Sequence, residues 1–536
     1  MPPHERKRRR RRRIVIAAGL VLALFVSAAA AFVVTREPGD VSNPDVEFRA
    51  EPTATPEPEL EPDAPGRKKT DPYDRFVWPI YGYTRDRRRY LPLKSPPRPP
   101  FDEQWRFSGD VLLEFPPVIG GKRLYLLNDH GRLFCIDKAT GKVRWRRRLG
   151  ALAAASPAYA NGKVYVVLLQ RAERGAGARA GRVAALDGKS GKILWSSKLA
   201  SRSESSPLVA DGRVYFGAEN GTVYAMDADT GTTRWRFKAG GAVKGGVALS
   251  GGKLYFGAYG GHVYAIRQSD GRQVWRASST SGAFGIGGGN FYSTPAVAYG
   301  RVYIGNTNGS IYSYSAASGR IAWSHGTGDY VYASPAVAQV PGGRPLVYAG
   351  SYDGRFYALD ARSGREAWSR GGNGKISGGA TVIGDIVYYA DLGNRRTIGL
   401  DARSGRKVYE HERGSYNPVV SDGRTIFLTG YHVLYALREP SAEVKRARRE
   451  AKEARLARLG RERRACRRVA KAAHRGKPRA IRRSVERCME RKRARRRAAK
   501  RRECARAARE AHRGRKGRIQ RSYERCLIRK GLRQSA

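Results

Sequence analysis

An all-β, eight-bladed β-propeller with velcro closure, preceded by a single transmembrane helix and followed by α-helical hairpins, is the fold class that the 536-residue sequence predicts. Three observations carry it. A unit of about 40 residues recurs through the middle of the chain. A stretch of 21 residues near the N-terminus holds no charge, and after Pro440 the composition switches to Arg, Ala and Lys. The 63 Gly and 29 Tyr suit turn-rich β structure. The formal charge is +56, unevenly spread: residues 441–536 hold 39 Lys and Arg against 9 Asp and Glu, a formal +30. This composition excludes wholesale disorder, a collagen and a multi-spanning membrane protein.

Residues 1–13 contain the basic run Arg6 to Arg13 and read as a cytoplasmic segment. Residues 14–34 would span about 30 Å as one helix, which predicts a signal-anchor helix. Lys and Arg beside a span stay inside, so the N-terminus is expected in the cytoplasm, the propeller outside it, and the protein at the cell membrane. The small residues Ser27 to Ala31 leave a cleaved signal peptide as the other reading, which exports the chain equally. Residues 35–100 read as a Pro-rich, acidic linker. Within it, residues 37–66 hold seven Pro and nine acidic residues, an extended stalk. Residues 67–100 add Tyr73, Phe76, Trp78, Tyr81, Tyr83 and Tyr90, which predict a stretch lying on the next domain.

From 101 to 440 one motif governs the chain: G-x-hydrophobic-aromatic-x-hydrophobic-D-x-x-[TS]-G-x-x-x-W. GTVYAMDADTGTTRW, ending at Trp235, and GRFYALDARSGREAW, ending at Trp368, are two copies. Others end at Trp145, Trp195, Trp275 and Trp323, and a seventh ends at Tyr409. Each unit supplies four short strands divided by Gly-containing turns, the size of one blade. The Asp can accept backbone N–H bonds while the Gly takes positive φ, so the third and fourth strands fold back tightly. The Trp falls on the outer strand and is expected to pack on the next blade, a structural and not a catalytic role. The last unit stops at Arg438 without an outer strand. Its missing strand is available at FDEQWRF, residues 101–107, where Trp105 sits 40 residues before Trp145. The composite makes eight blades and leaves no open edge.

This motif resembles the repeat of the PQQ-like (pyrroloquinoline-quinone) propeller superfamily, which includes quinoprotein alcohol dehydrogenases and BamB-like assembly factors of bacterial envelopes. The resemblance covers about 340 residues and implies the fold; one fold hosts unrelated activities. The dehydrogenase branch would imply PQQ, a Ca²⁺ held by carboxylate and amide oxygens, a catalytic Asp and an adjacent-Cys disulfide. Here the propeller has one Cys, Cys135, where other units place Ala185, Ala225 or Ala265. Most Asp residues fall in hairpin turns, and no acidic cluster is evident in the loops expected to face the channel. No cofactor, metal or catalytic residue is therefore expected, PQQ and Ca²⁺ entering only under the alternative of a quinoprotein dehydrogenase.

The loops from one blade's outer strand to the next blade's inner strand should ring one mouth of the channel. They place Lys244, Phe284, Asn290, Tyr292, Tyr330, Tyr332, Lys375 and Tyr416 as candidate ligand contacts, suited to a sugar, a peptide strand or an anionic group. Packing of the blade seams is the competing role for these aromatics. Gly285 to Gly289 lacks the Lys-Ser or Lys-Thr that a phosphate loop needs.

The tail repeats at a distance of 38 residues: Cys466 to Cys488 matches Cys504 to Cys526, with His474 aligned on His512. Breakers sit at both midpoints, which predicts two helical hairpins, 466–488 and 504–526, each with its Cys pair closing the open end as a disulfide. The His residues fall at the opposite ends, which disfavours zinc. A tail at +30 attracts polyanions, which outside the membrane are an anionic cell-wall polymer, an acidic glycan or lipid head groups and not nucleic acid; a solvated Arg-rich coat is the competing reading. The expected function is a membrane-anchored, non-catalytic binding or assembly scaffold at the cell envelope, its partner an envelope protein or glycan.

Overall fold

The computed structural model describes residues 41–50, 71–170, 180–279, 288–372, 374–414, 416, 419–512 and 516–529. They divide into two compact units after Glu439. In the first, eight antiparallel sheets each contain four strands in simple succession from inner to outer. Blade 1 comprises Val118–Gly120, Arg123–Leu127, Arg132–Asp137 and Val143–Arg148, and the inner strands of blades 2 to 7 start at Ala158, Leu208, Ala248, Ala296, Ala336 and Thr381. Blade 8 takes its outer strand, Asp102–Ser108, from the front of the repeat region, paired antiparallel with Val433–Arg438. The velcro closure is present as expected, and the ring has eight blades.

Burial follows position within a blade. The two middle strands of blade 3, Arg213–Gly217 and Thr222–Asp227, are buried almost throughout, because both faces are covered by neighbouring blades. The outer strand Thr233–Lys238 alternates exposed and half-buried residues. The seams are built by the motif. Trp105, Trp145, Trp195, Trp235, Trp275, Trp323 and Trp368 each donate the indole N–H to a backbone carbonyl in the third-to-fourth-strand turn of the next blade, at 2.9 to 3.2 Å. The turn itself is closed by its acid: Asp227 Oδ1 accepts from Thr230 N at 2.9 Å, and Asp360 Oδ1 from Ser363 N at 2.9 Å.

The turn glycine has two reasons to be glycine. At Gly364 φ is +74°, and a Cβ there would lie 2.7 Å from Cδ2 of Trp323. Gly364→Ala is therefore expected to cost about 2 kcal/mol, combining left-handed strain with a clash against a fixed indole; the denaturant midpoint at unchanged m-value measures it. Tyr409 replaces Trp at the seam from blade 7 to blade 8. Blade 8 has no third-to-fourth-strand turn, since its fourth strand comes from residues 102–108, so no turn carbonyl awaits an indole there; Tyr409 packs edge-on against Phe101 at 5.1 Å.

The described parts of the segments read as linker and stalk, residues 41–50 and 71–100, pack with the propeller. Residues 41–50 lie along blade 5: Asn43 N donates to Ala322 O at 2.7 Å, Val46 is buried, and Phe48 stacks on Tyr299 at 5.2 Å. Residues 76–91 run inside the ring as a belt against the inner strands, in blade order. The carbonyls of Phe76, Pro79, Arg85, Asp86, Arg88, Arg89 and Leu91 accept from Gly121, Tyr159, Leu249, Val297, Val337, Val382 and Gly384. Val77–Trp78 pairs with the inner strand of blade 1, and Tyr90–Leu91 runs parallel to Thr381–Ile383 of blade 7. The expectation that this stretch packs on the domain holds for its described residues, and residues 76–91 go further, running within the ring.

The expected membrane location is also corrected. Among the described residues no helix is long and apolar enough to cross a membrane. The two that are long enough, Ala442–Ala473 and Pro478–Ala511, are rich in Arg and Lys. Residues 14–34, on which the single-pass reading rested, lie outside the described residues, so a single-pass anchor and the placement derived from it are not supported.

The second unit is helical. Ser441 caps the first helix, its Oγ accepting from Val444 N at 3.3 Å. The third helix is Lys516–Arg529, and disulfides Cys466–Cys488 and Cys504–Cys526 join the first to the second and the second to the third. One middle helix therefore serves both hairpins. The first Cys pair does not close an open end, because the first and second helices continue well past it and Arg496 reaches Glu462 beyond it, whereas the second pair sits three residues from the end of the third helix. Each bridge spans a separation of 22 residues, worth about 3 kcal/mol in the chain-entropy account.

Candidate functional site

A propeller hub is ordinarily an open channel; here the belt turns it into a blind socket. Two arginines of the belt fill the axis. Arg87 is fully buried and donates from Nε to Val247 O at 2.9 Å, from one terminal nitrogen to Ser206 O at 2.9 Å, and from the other to Tyr81 O. Burial pulls its guanidinium down to about 9, with Arg89 adding repulsion. Arg89 donates to Arg87 O at 3.0 Å, and its guanidinium lies 4.5 Å from the centre of the Tyr81 ring. The belt thereby supplies seven backbone acceptors to inner-strand N–H groups, and Arg87 returns three bonds to carbonyls of belt and wall.

Above this floor is a cavity of about 360 Å³. Tyr81 forms its base. Loops leading into inner strands provide Glu114, Phe115, Glu204, Lys244, Tyr292, Tyr332 and Tyr416, and the loops between second and third strands add Tyr259 and Tyr352. One wall is aromatic: Tyr292 meets Tyr332 edge-on at 5.4 Å, and Tyr332 lies 4.9 Å from Tyr352. Hydroxyls stitch successive loops together below it, Gly246 N donating to Thr294 Oγ1 at 2.8 Å and Thr294 N to Ser334 Oγ at 3.0 Å.

The charges fall into a satisfied group and an unsatisfied one. Lys244 Nζ is 2.5 Å from Glu204 and 3.2 Å from Glu219, and Tyr292 donates to Glu204 at 3.1 Å. Burial opposes the Lys244 charge, but the two carboxylates outweigh it and raise its pKa. Burial, then the charges of Glu204 and Glu114, push the Tyr292 phenol far above its usual range. Glu114 has neither a hydrogen bond nor an ion pair to any described residue. Burial first, and the neighbouring Glu204 and Asp129 second, push its carboxyl up to about 7.

Of the sequence-predicted contacts, Lys244, Tyr292, Tyr332 and Tyr416 line this cavity. Tyr330 stands at its rim, 48% exposed and 5.8 Å from Tyr332, and Lys375 Nζ sits 4.7 Å above the Tyr352 ring. Asn290 is a loop tie, its Oδ1 accepting from Gly260 N at 2.8 Å. Phe284 lies outside the described residues. Sequence reasoning missed Glu114, Glu204, Tyr81, Tyr259 and Tyr352; the first two are the carboxylates that line the cavity. Tyr259 and Tyr352 occupy the same repeat position, between second and third strands, and that coincidence was a usable signal.

The profile of the family described as outer membrane protein assembly factor BamB matches residues 101–179, 173–242 and 219–448. Quinoprotein glucose dehydrogenase of Escherichia coli (strain K12) is 31% identical over 99 residues, 16% of this chain; the match spans 12% of that protein's length. Among solved structures, BamB from Moraxella catarrhalis is similar with a TM-score of 0.51 at 16% identity, covering 63% of this chain and 100% of that one. Quinohemoprotein alcohol dehydrogenase from Pseudomonas putida HK5 gives 0.56 at 17% identity, covering 68% and 81%. At such identities these structures establish the fold alone.

A quinone with a bound Ca²⁺, as the dehydrogenase branch would have it, needs several oxygen ligands on a hard cation. The donor set does not fit. Two carboxylates line the cavity, Glu114 and Glu204, and Glu204 is already held by Lys244 and Tyr292. Among the described residues no group of three or more His, Cys, Asp or Glu is placed to hold a metal. Cys135, the propeller's one thiol, is buried in the blade 1 sheet, where burial pushes it up to about 12.

Proposed function

The chain belongs to the family of the outer membrane protein assembly factor BamB, and from that premise we propose that it is a non-catalytic binding scaffold whose central socket receives the ligand. The observation that carries this reading is the blind cavity itself, floored by the belt, walled by tyrosines and holding one carboxylate, Glu114, with no partner among the described residues. Tyrosine faces accept a flat or apolar group or a cation, and their hydroxyls accept and donate hydrogen bonds. Glu114 asks for a cationic or hydrogen-bond-donating group opposite it. A projecting side chain of a partner protein, or a sugar carrying an amine, meets both demands. Lys244, Glu204 and Tyr292 hold one another in place, so the wall is set before the ligand arrives.

Probes separate this reading from a quinoprotein oxidoreductase, towards which the quinoprotein relatives point. Incubated with PQQ and Ca²⁺ and offered alcohols or sugars, the purified chain is expected to leave an acceptor dye oxidised; turnover that Glu204→Gln abolishes would overturn the scaffold. In calorimetry, benzylamine is expected to bind, and Tyr332→Ala to weaken it about tenfold.

The pH dependence follows from Glu114. Its folded pKa, about 7, lies above the unfolded value near 4.5, so the folded state holds the proton more tightly across that window. The stabilisation is fully present below about 4.5 and lost as pH rises through 7, amounting to up to about 3 kcal/mol. Glu114→Gln is expected to flatten this slope in urea melts between pH 4.5 and 7.5. Because a cation pairs with the ionised form, benzylamine affinity in the native chain is expected to rise over the same range; an unchanged affinity would remove Glu114 from the site.

A further inference from the structure

The helical unit has a feature that the socket does not use. On its middle helix Arg479, Arg483, Arg487, Arg491 and Arg495 follow one another at four-residue intervals, all exposed. Four residues rise about 6 Å and turn slightly more than once around the axis, so the five guanidinia form a single slanted row about 24 Å long. None of the five has a hydrogen bond or ion pair to a described residue. Of the carboxylates on this helix, Glu486 pairs with Arg482 at 3.7 Å and Glu510 with Arg506 at 3.6 Å, both off the row, while the exposed Glu490 has no ion pair to a described residue. Like charges four residues apart destabilise an isolated helix. This helix is held instead by two disulfides, through Cys488 to the first helix and through Cys504 to the third.

We propose that this row is a binding site for a linear phosphate polymer, which follows the slanted row so that phosphates spaced along it meet one arginine after another. Guanidinium matches phosphate with paired N–H donors, and the helix sets the spacing of the five stems before the polymer arrives. The chemistry favours a polymer over a bilayer surface. A helix lying on lipid buries an apolar face, whereas the exposed large hydrophobic residues described in this unit, Val444, Leu456 and Val469, all belong to the first helix.

The test is fluorescence anisotropy of the full chain, disulfides intact, with labelled inorganic polyphosphate. Binding is expected with polyphosphate and not with orthophosphate, with log K falling against log salt at a slope of about −3.5 for five contacts. Arg483→Gln/Arg487→Gln/Arg491→Gln is expected to reduce that slope by about 2 and the affinity at ~0.1 M salt by tenfold or more. The same three positions changed to Lys should keep the slope, and Arg455→Gln/Arg463→Gln/Arg467→Gln on the first helix should leave both quantities unchanged. Circular dichroism confirms that each variant remains helical. Equal losses from the row and first-helix variants would overturn the proposal in favour of a diffuse coat. Binding to phosphatidylglycerol vesicles without binding to polyphosphate would overturn it in favour of a lipid surface.

Discussion

Arg87→Ala is expected to destabilise the propeller by about 3 kcal/mol or more, measured by urea denaturation followed through tryptophan fluorescence. The substitution strips hydrogen-bond donors from the carbonyls of Tyr81, Ser206 and Val247, all inside a hub that excludes water. A hydrogen bond to a charged group contributes about 1.5 to 3 kcal/mol, and a buried acceptor left bare costs about 1 to 3 kcal/mol. Against this stands relief of the burial that draws Arg87 down to about 9; with three acceptors orphaned at once, the loss wins. Arg87→Met keeps the length of the stem and should lose nearly as much. If methionine restored the native midpoint, the arginine would be filler rather than the peg that fixes the belt. Limited proteolysis gives a second readout, since a loosened belt exposes bonds between residues 76 and 91.

Trp323→Ala carries the other large effect, about 4 kcal/mol, from a side chain only 1% exposed. Its indole bond to Ala361 O, 3.0 Å, is lost with it, and Tyr303, 5.8 Å away, loses its neighbour. The seam also predicts coupling. Gly364 is kept small by the Trp323 ring as well as by its φ of +74°. Once the ring is gone the clash disappears and only the backbone strain remains, so Gly364→Ala should cost less in the Trp323→Ala background than alone. Strict additivity would show that the indole does not press on the turn.

The ring was legible because its rules are local and repeated. Trp, Gly and Asp at fixed offsets describe a turn and a seam that need no knowledge of the rest of the fold, and the orphan Trp105 announced the closing strand. The belt was not legible, because nothing in residues 76–91 alternates or repeats. Its bonding partners lie in six different blades, and Arg87 and Arg89 read as solvent residues until the ring around them is known. The socket fell between these cases. Lys244, Tyr292, Tyr332 and Tyr416 were found by following one class of loop, and Glu114 and Glu204 were passed over because an isolated glutamate in a loop gives no signal until convergence is seen. In the tail, matched spacings gave the Cys pairs, yet the sharing of one helix by both bridges depended on helix lengths that spacing alone leaves open.

The belt also imposes an order on how the molecule is made. Its residues are translated before every repeat, yet its last partners, Val382 and Gly384, emerge some three hundred residues later. Until blade 7 exists, the belt carbonyls from Arg89 onward have no inner strand to meet. A stretch of the propeller that leaves the ribosome before any blade is thus among the last to be seated, and a nascent chain halted before residue 381 would carry Arg89 unhoused, awaiting the wall that has yet to be synthesised.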